Sequence, residues 1–113
     1  MKSLVLIAAA VGGLAFPGTA AAATSFEVCS PLGCAVQSVR GTVDRGHLVA
    51  KVSDSSPVSA LTVWFTESPV GRRLQVVVDD GVRWLDAGLS TGATHLTVRA
   101  CGGGGCNSKT IPL

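Results

Sequence analysis

The sequence predicts an all-β fold, a sandwich of about seven strands in two layers, and three observations carry that expectation. Apolar residues recur at every second position through most of the chain. Val, Thr and Ser dominate, while Gly, Pro, Asp and Ser punctuate at intervals of roughly ten residues. No stretch beyond residue 22 shows the 3.6-residue period of an amphipathic helix.

The chain opens with "MKSLVLIAAAVGGLAFPGTAAAATS", which carries one positive residue (Lys2), an apolar run from Leu4 to Phe16 and an Ala-x-Ala cleavage signal at Ala20, Ala21 and Ala22. This is the pattern of a cleaved secretory signal peptide over residues 1–22. A membrane anchor would need roughly 20 uninterrupted apolar residues, and Gly12, Gly13 and Pro17 break this run. The expected mature chain, residues 23–113, is a single domain of roughly 90 residues, small enough that covalent staples matter to its stability. It is expected to be extracellular, monomeric and not inserted in a membrane.

Two cysteine pairs of equal spacing follow, "CSPLGC" (Cys29 and Cys34) and "CGGGGC" (Cys101 and Cys106). Structural zinc prefers spacings of two to four residues, and an exported chain meets an oxidising environment, so disulfides are expected over a metal site. Four cysteines allow three connectivities. Loop-closure entropy favours long bridges, worth about 4.4 kcal/mol against about 2 kcal/mol for a short one. Geometry favours the local pairs 29–34 and 101–106, because residues flanking a tight hairpin loop stand opposite each other within disulfide reach. Local pairing is preferred, with cross-pairing left open. The glycines are expected to supply positive φ in tight turns, with Pro31 presetting one turn and Gly33 taking its left-handed position. A phosphate cradle is not expected of "GGGG", since no Lys-Ser/Thr follows it as a helix opens.

Strands are then assigned in order. "AVQSVRGTV" places Val39 and Val43 on one face. "HLVAKVSD" sets Leu48, Ala50 and Val52 against His47, Val49, Lys51 and Ser53. "SALTVWFT" sets Leu61, Val63 and Phe65 against Ala60, Thr62, Trp64 and Thr66. "RRLQVVVDDG" points Leu74, Val76 and Val78 inward and ends on a turn signal at Asp79-Asp80-Gly81. A short "VRWLD" has Val82 and Trp84 on a shared face. "ATHLTVRAC" points Leu96, Val98 and Ala100 one way and His95, Thr97, Arg99 and Cys101 the other. A short final strand, "KTIPL", belongs at an edge because of Pro112.

The stretch "GATHLTVRA", with its tight turn and Asn107, resembles the penultimate strand of bacterial immunoglobulin-like and fibronectin-type-III-like modules. "LVAKVSDSSPVSALTVWF" is similar to the second and third strands of the same modules. The likeness covers roughly residues 47–113 and implies an immunoglobulin-like sandwich, a fold that hosts many binding and spacer roles. Two departures stand out. "CGGGGC" replaces the usual turn Asp, and the inter-sheet disulfide of antibody domains has no cysteine at "HLVAKVSD".

Charge excludes some functions. The chain has nine Lys and Arg against seven Asp and Glu, and the basic residues are scattered, with Arg72 and Arg73 the only basic pair. That is not the stripe a phosphate backbone requires, so no nucleic acid is expected. Asp79-Asp80 reads as a solvated turn, because a calcium loop needs about six oxygen ligands. No cofactor motif is present. For nucleophilic catalysis the bases available are His47 and His95, which the assignment puts on outward positions of different sheets, and oxidised cysteines are no nucleophiles. A non-enzymatic role is therefore expected.

Binding is the remaining class. Trp64 falls in the polar phase of its strand, which predicts an exposed indole of the kind enriched at interaction surfaces. The alternative phase would bury Trp64 and expose Phe65. The two stapled loops are expected at one end of the sandwich, where they would form a rigid surface. Two functions follow: a non-catalytic module that binds a protein or cell-surface component, or an inhibitor presenting Pro31 and Leu32 of "SPLG" to a protease cleft.

Overall fold

The computed structural model describes residues 23–113. The expected leader and its cleavage site lie outside the described residues. The described residues form eight strands: β1 (Thr24–Cys29), β2 (Gln37–Asp44), β3 (His47–Asp54), β4 (Leu61–Ser68), β5 (Arg73–Val78), β6 (Gly81–Gly88), β7 (His95–Gly102) and β8 (Gly105–Pro112). They make two antiparallel four-stranded sheets, β1-β2-β3-β6 (sheet 1) and β5-β4-β7-β8 (sheet 2). No helix among the described residues is long and apolar enough to cross a membrane.

The predicted alternation sets the packing. Leu48, Ala50 and Val52 of β3, Leu61, Val63 and Phe65 of β4, and Leu96, Val98 and Ala100 of β7 are all fully buried in one core. Val39 and Val43 of β2, Val76 and Val78 of β5 and Ile111 of β8 complete it, with Leu74, Leu85 and Leu89 packed at its margin. Both sheets thus bury one face and leave the other to solvent, the arrangement that a period of two requires.

Three expectations are corrected. The strands among the described residues number eight, because "TSFEVC" forms β1, whose inward residues Phe26 and Val28 are buried. The "VRWLD" strand is longer than expected and runs Gly81–Gly88 along β3, although Leu85 is its main contact with the core. The last strand is also longer, Gly105–Pro112, and Pro112 does fall on an edge strand, opposite His95.

Connections follow turn chemistry. β2 and β3 are joined by Arg45-Gly46, both at positive φ (52° and 75°), the requirement of a two-residue hairpin matched to sheet twist. The turn at Asp79-Asp80 carries the chain from the edge of sheet 2 to the edge of sheet 1. Its conformation is held by Asp80 N–H, which donates to Asp54 Oδ2 at 3.1 Å. The acidic pair is a turn, as its residue types suggest.

Candidate functional site: the stapled end and the outer face of sheet 2

Both disulfides are local, Cys29–Cys34 and Cys101–Cys106, and no cysteine among the described residues is free. With all four sulfurs oxidised there are no thiolates for zinc. The two loops differ in construction. Cys101 stands opposite Cys106 in register, with Gly102 opposite Gly105, so the hairpin turns on Gly103-Gly104 alone and its Cα atoms are 4.0 Å apart at the bridge. Cys29 instead pairs with Ser38, and Cys34 lies in the turn between the strands. The expected opposition of cysteines across a hairpin therefore holds at one loop only. Gly33 has the predicted positive φ, 101°.

The loops sit side by side. Asn107 Nδ2 donates to the Cys29 carbonyl at 2.8 Å. Leu32 covers Gly103 so closely that an added Cβ would lie 2.7 Å from its Cδ1, and Pro31 approaches Gly104 in the same way. Beneath them lies Gln37, fully buried, with every polar valence used. Its Oε1 accepts from Ser30 Oγ (2.6 Å) and Gly103 N–H (3.2 Å), and its Nε2 donates to Asp54 Oδ1 and to the Ser59 carbonyl (both 3.1 Å). One side chain thus ties both stapled loops to the end of β3 and to the β3–β4 connection. Burial works against the Asp54 carboxylate, but hydrogen bonds from the Ser56 and Asp80 amides and from Gln37 outweigh it, so its pKa lies below the ordinary value.

The "GGGG" run has a second reason beyond turn flexibility. A Cβ at Gly102 would stand 1.9 Å from Gln37 Oε1. Glycine fits there because the side-chain amide of Gln37, held by its own hydrogen bonds, occupies the place a Cβ would take.

The outer face of sheet 2 carries Trp64. Its indole is half-buried rather than exposed, in the outward phase as predicted, while Phe65 is fully buried. The alternative phase is thereby excluded. Trp64 stands opposite Gln75 of β5 and Arg99 of β7, and Thr66 stands opposite Arg73 and Thr97. Trp64, Thr66, Arg73, Thr97, Arg99 and the Cys101–Cys106 bridge line an open concavity of about 540 Å³. Thr97 and Thr110 share a hydrogen bond of 2.8 Å across β7 and β8. No carboxylate occupies an outward position of the four strands, and neither Arg73 nor Arg99 has an ion-pair partner among the described residues.

Sheet 1 differs in this respect. Its outer face runs Glu27–Arg40–Lys51–Trp84 across four strands in register. Arg40 pairs with Glu27 at 2.6 Å, and the Lys51 ammonium lies 6.0 Å from the Trp84 ring centroid. Trp84, 67% exposed, is the more open of the two tryptophans. Its signal in the sequence is the phase it shares with Val82, and both are exposed. The charges of this face largely answer one another.

His47 lies on β3 of sheet 1, hydrogen-bonded to Asp86, and His95 lies on β7 of sheet 2, where Nδ1 meets Thr94 Oγ1 at 2.9 Å. Both are exposed and they are on different sheets. At the end away from the disulfides, buried Glu67 accepts from Arg72 (2.8 Å) and from Ser90 N–H (2.9 Å). Burial opposes its ionisation, but the Ser90 hydrogen bonds and the Arg72 charge outweigh burial and hold its pKa below the ordinary value. These groups fasten loops.

Compared with protein-family models, curated proteins and solved structures, the chain finds no match.

Proposed function

We propose that the protein is a small exported, non-catalytic binding module of immunoglobulin-like architecture, which engages a cell-surface component through the outer face of sheet 2. One observation carries the reading. Trp64 sits on an open face between two arginines that have no carboxylate partner among the described residues. Unpaired guanidinium groups beside an aromatic ring are a common composition for recognition surfaces. Two disulfides, typical of extracellular proteins, support export. The division of hairpin-connected strands between two packed sheets supports the immunoglobulin-like assignment.

The inhibitor reading has one supporting feature, Leu32 at 42% exposure on a stapled loop. Three others weigh against it. The segment is turned rather than extended, Leu32 N–H is engaged by Ser30 Oγ at 3.2 Å, and the side chain leans on Gly103. A protease cleft would have to lift it away. No inhibition of subtilisin-like and trypsin-like proteases at micromolar concentration is expected.

The binding reading is tested by adsorption of the purified, disulfide-bonded protein to intact cells and to cell-surface fractions. Trp64→Ala combined with Arg99→Gln should reduce adsorption at least tenfold with the thermal midpoint little changed. Undiminished adsorption by that variant would remove this face from the proposal.

A further inference from the structure

On the reading that this face is the binding surface, we infer that its ligand is an acidic polysaccharide, a chain of sugars bearing carboxylates. Charge complementarity comes first. Arg73 and Arg99 line the same concavity from strands on either side of β4, and nothing acidic points outward beside them. An unpaired guanidinium is a planar fork that matches a carboxylate with two parallel hydrogen bonds. In register the two arginines are offset by two residues, so their Cα atoms stand about 12 Å apart on sheet spacings. A short oligosaccharide with more than one carboxylate spans that distance.

The aromatic and hydroxyl content selects sugar over an acidic protein. Trp64 is half-buried and lines the concavity, and an aromatic ring is a surface on which the C–H face of a pyranose stacks. Thr66 and Thr97 stand beside it, each with a hydroxyl that both donates and accepts, as sugar hydroxyls do. A protein partner would need a desolvated apolar centre, and the outward positions supply only Trp64 and the edge residue Val77. The Cys101–Cys106 bridge forms a rigid wall at one end of the concavity, so little ordering is required on binding.

The test uses the disulfide-bonded protein carrying Trp84→Phe, which leaves Trp64 as the sole indole of the two in the chain. A hexameric oligouronate, a neutral hexose oligomer of equal length and a poly-glutamate of equal charge are titrated while tryptophan emission and calorimetric heat are followed. The oligouronate should bind saturably and shift Trp64 emission, while the other two should not. Arg73→Gln with Arg99→Gln should weaken binding at least tenfold, as should raising salt from about 50 to about 500 mM. Arg83→Gln, on sheet 1, should leave it unchanged. If the oligouronate has no effect at millimolar concentration while cell adsorption still depends on Trp64, the ligand class is wrong and the binding face stands. Equal binding by poly-glutamate would overturn the saccharide assignment in favour of an acidic protein. If neither oligouronate binding nor adsorption responds to Trp64, both proposals fall.

Discussion

Gly103 N–H donates to Gln37 Oε1 at 3.2 Å, a bond between residues 66 positions apart that joins the stapled hairpin of sheet 2 to the first strand pair of sheet 1. It exists because Gly102 and Gly103 have no side chains. A Cβ on either would overlap Gln37 or Leu32. The hairpin is therefore a docking surface for the loop beneath it.

Gly102→Ala should destabilise the protein by about 1–3 kcal/mol, since Gln37 is held by four hydrogen bonds and cannot move aside freely. Gln37→Ala should cost as much or more by leaving Asp54 and Gly103 short of partners. The double variant should cost less than the sum, because the overlap vanishes with the side chain. Denaturant unfolding of the four proteins measures the coupling, and strict additivity would contradict the contact.

Disulfide mapping has a definite expected result. Cleavage after Arg40 and Arg99 places Cys29 with Cys34 in one peptide and Cys101 with Cys106 in another. Without reductant the two should separate. Cys101→Ser with Cys106→Ser should lower stability by about 2 kcal/mol, the chain-entropy value for so short a loop. Amide exchange at Gly103 should accelerate in that variant, since the glycine run has no side chains of its own to hold its register.

Acid should unfold the protein through Asp54 and Glu67. Both carboxylates have folded pKa values below their ordinary ones. The unfolded chain therefore takes up protons first as pH falls, and the stability these groups contribute is complete above about pH 5 and is lost progressively as pH falls through the ordinary carboxylate range and on through the lower folded pKa values. Asp54→Asn and Glu67→Gln should each be less stable at pH 7 and show a flatter acid limb. A wild-type acid limb unchanged by either substitution would contradict the assignment.

The two tryptophans should separate in quenching. Trp84 is 67% exposed and Trp64 half-buried, so acrylamide should quench chiefly Trp84. Trp84→Phe should blue-shift the remaining emission and reduce the quenching constant. Equal quenching of both indoles would place Trp64 differently on its sheet.

How much of this was legible in the sequence varies by strand. In β4 and β7 the inward sets Leu61, Val63, Phe65 and Leu96, Val98, Ala100 are apolar at every second position, and a one-residue slip would expose the whole set. The alternation favoured an outward Trp64, and the buried Phe65 decided it. In β1 only Phe26 and Val28 alternate, too few to mark a strand beside an apolar leader. In β6 the pattern is nearly absent. That strand is extended because its backbone pairs with β3 from His47 to Asp54. Trp84 shares one face with Val82 in the sequence pattern, and its prominence comes from the edge position of β6.

From its residues alone the chain determined an all-β fold, the inward face of its central strands, the turns at Gly33 and Asp79-Asp80, and a preference for local disulfides. Those are local properties, set by a period of two, by positive φ at glycine and by the short reach of a sulfur bridge. Tertiary structure decided what lies next to what: Gln37 between two loops, Leu32 over Gly103, and Arg73 and Arg99 on either side of Trp64. Such neighbours belong to strands far apart in sequence, and only sheet order and register bring them together.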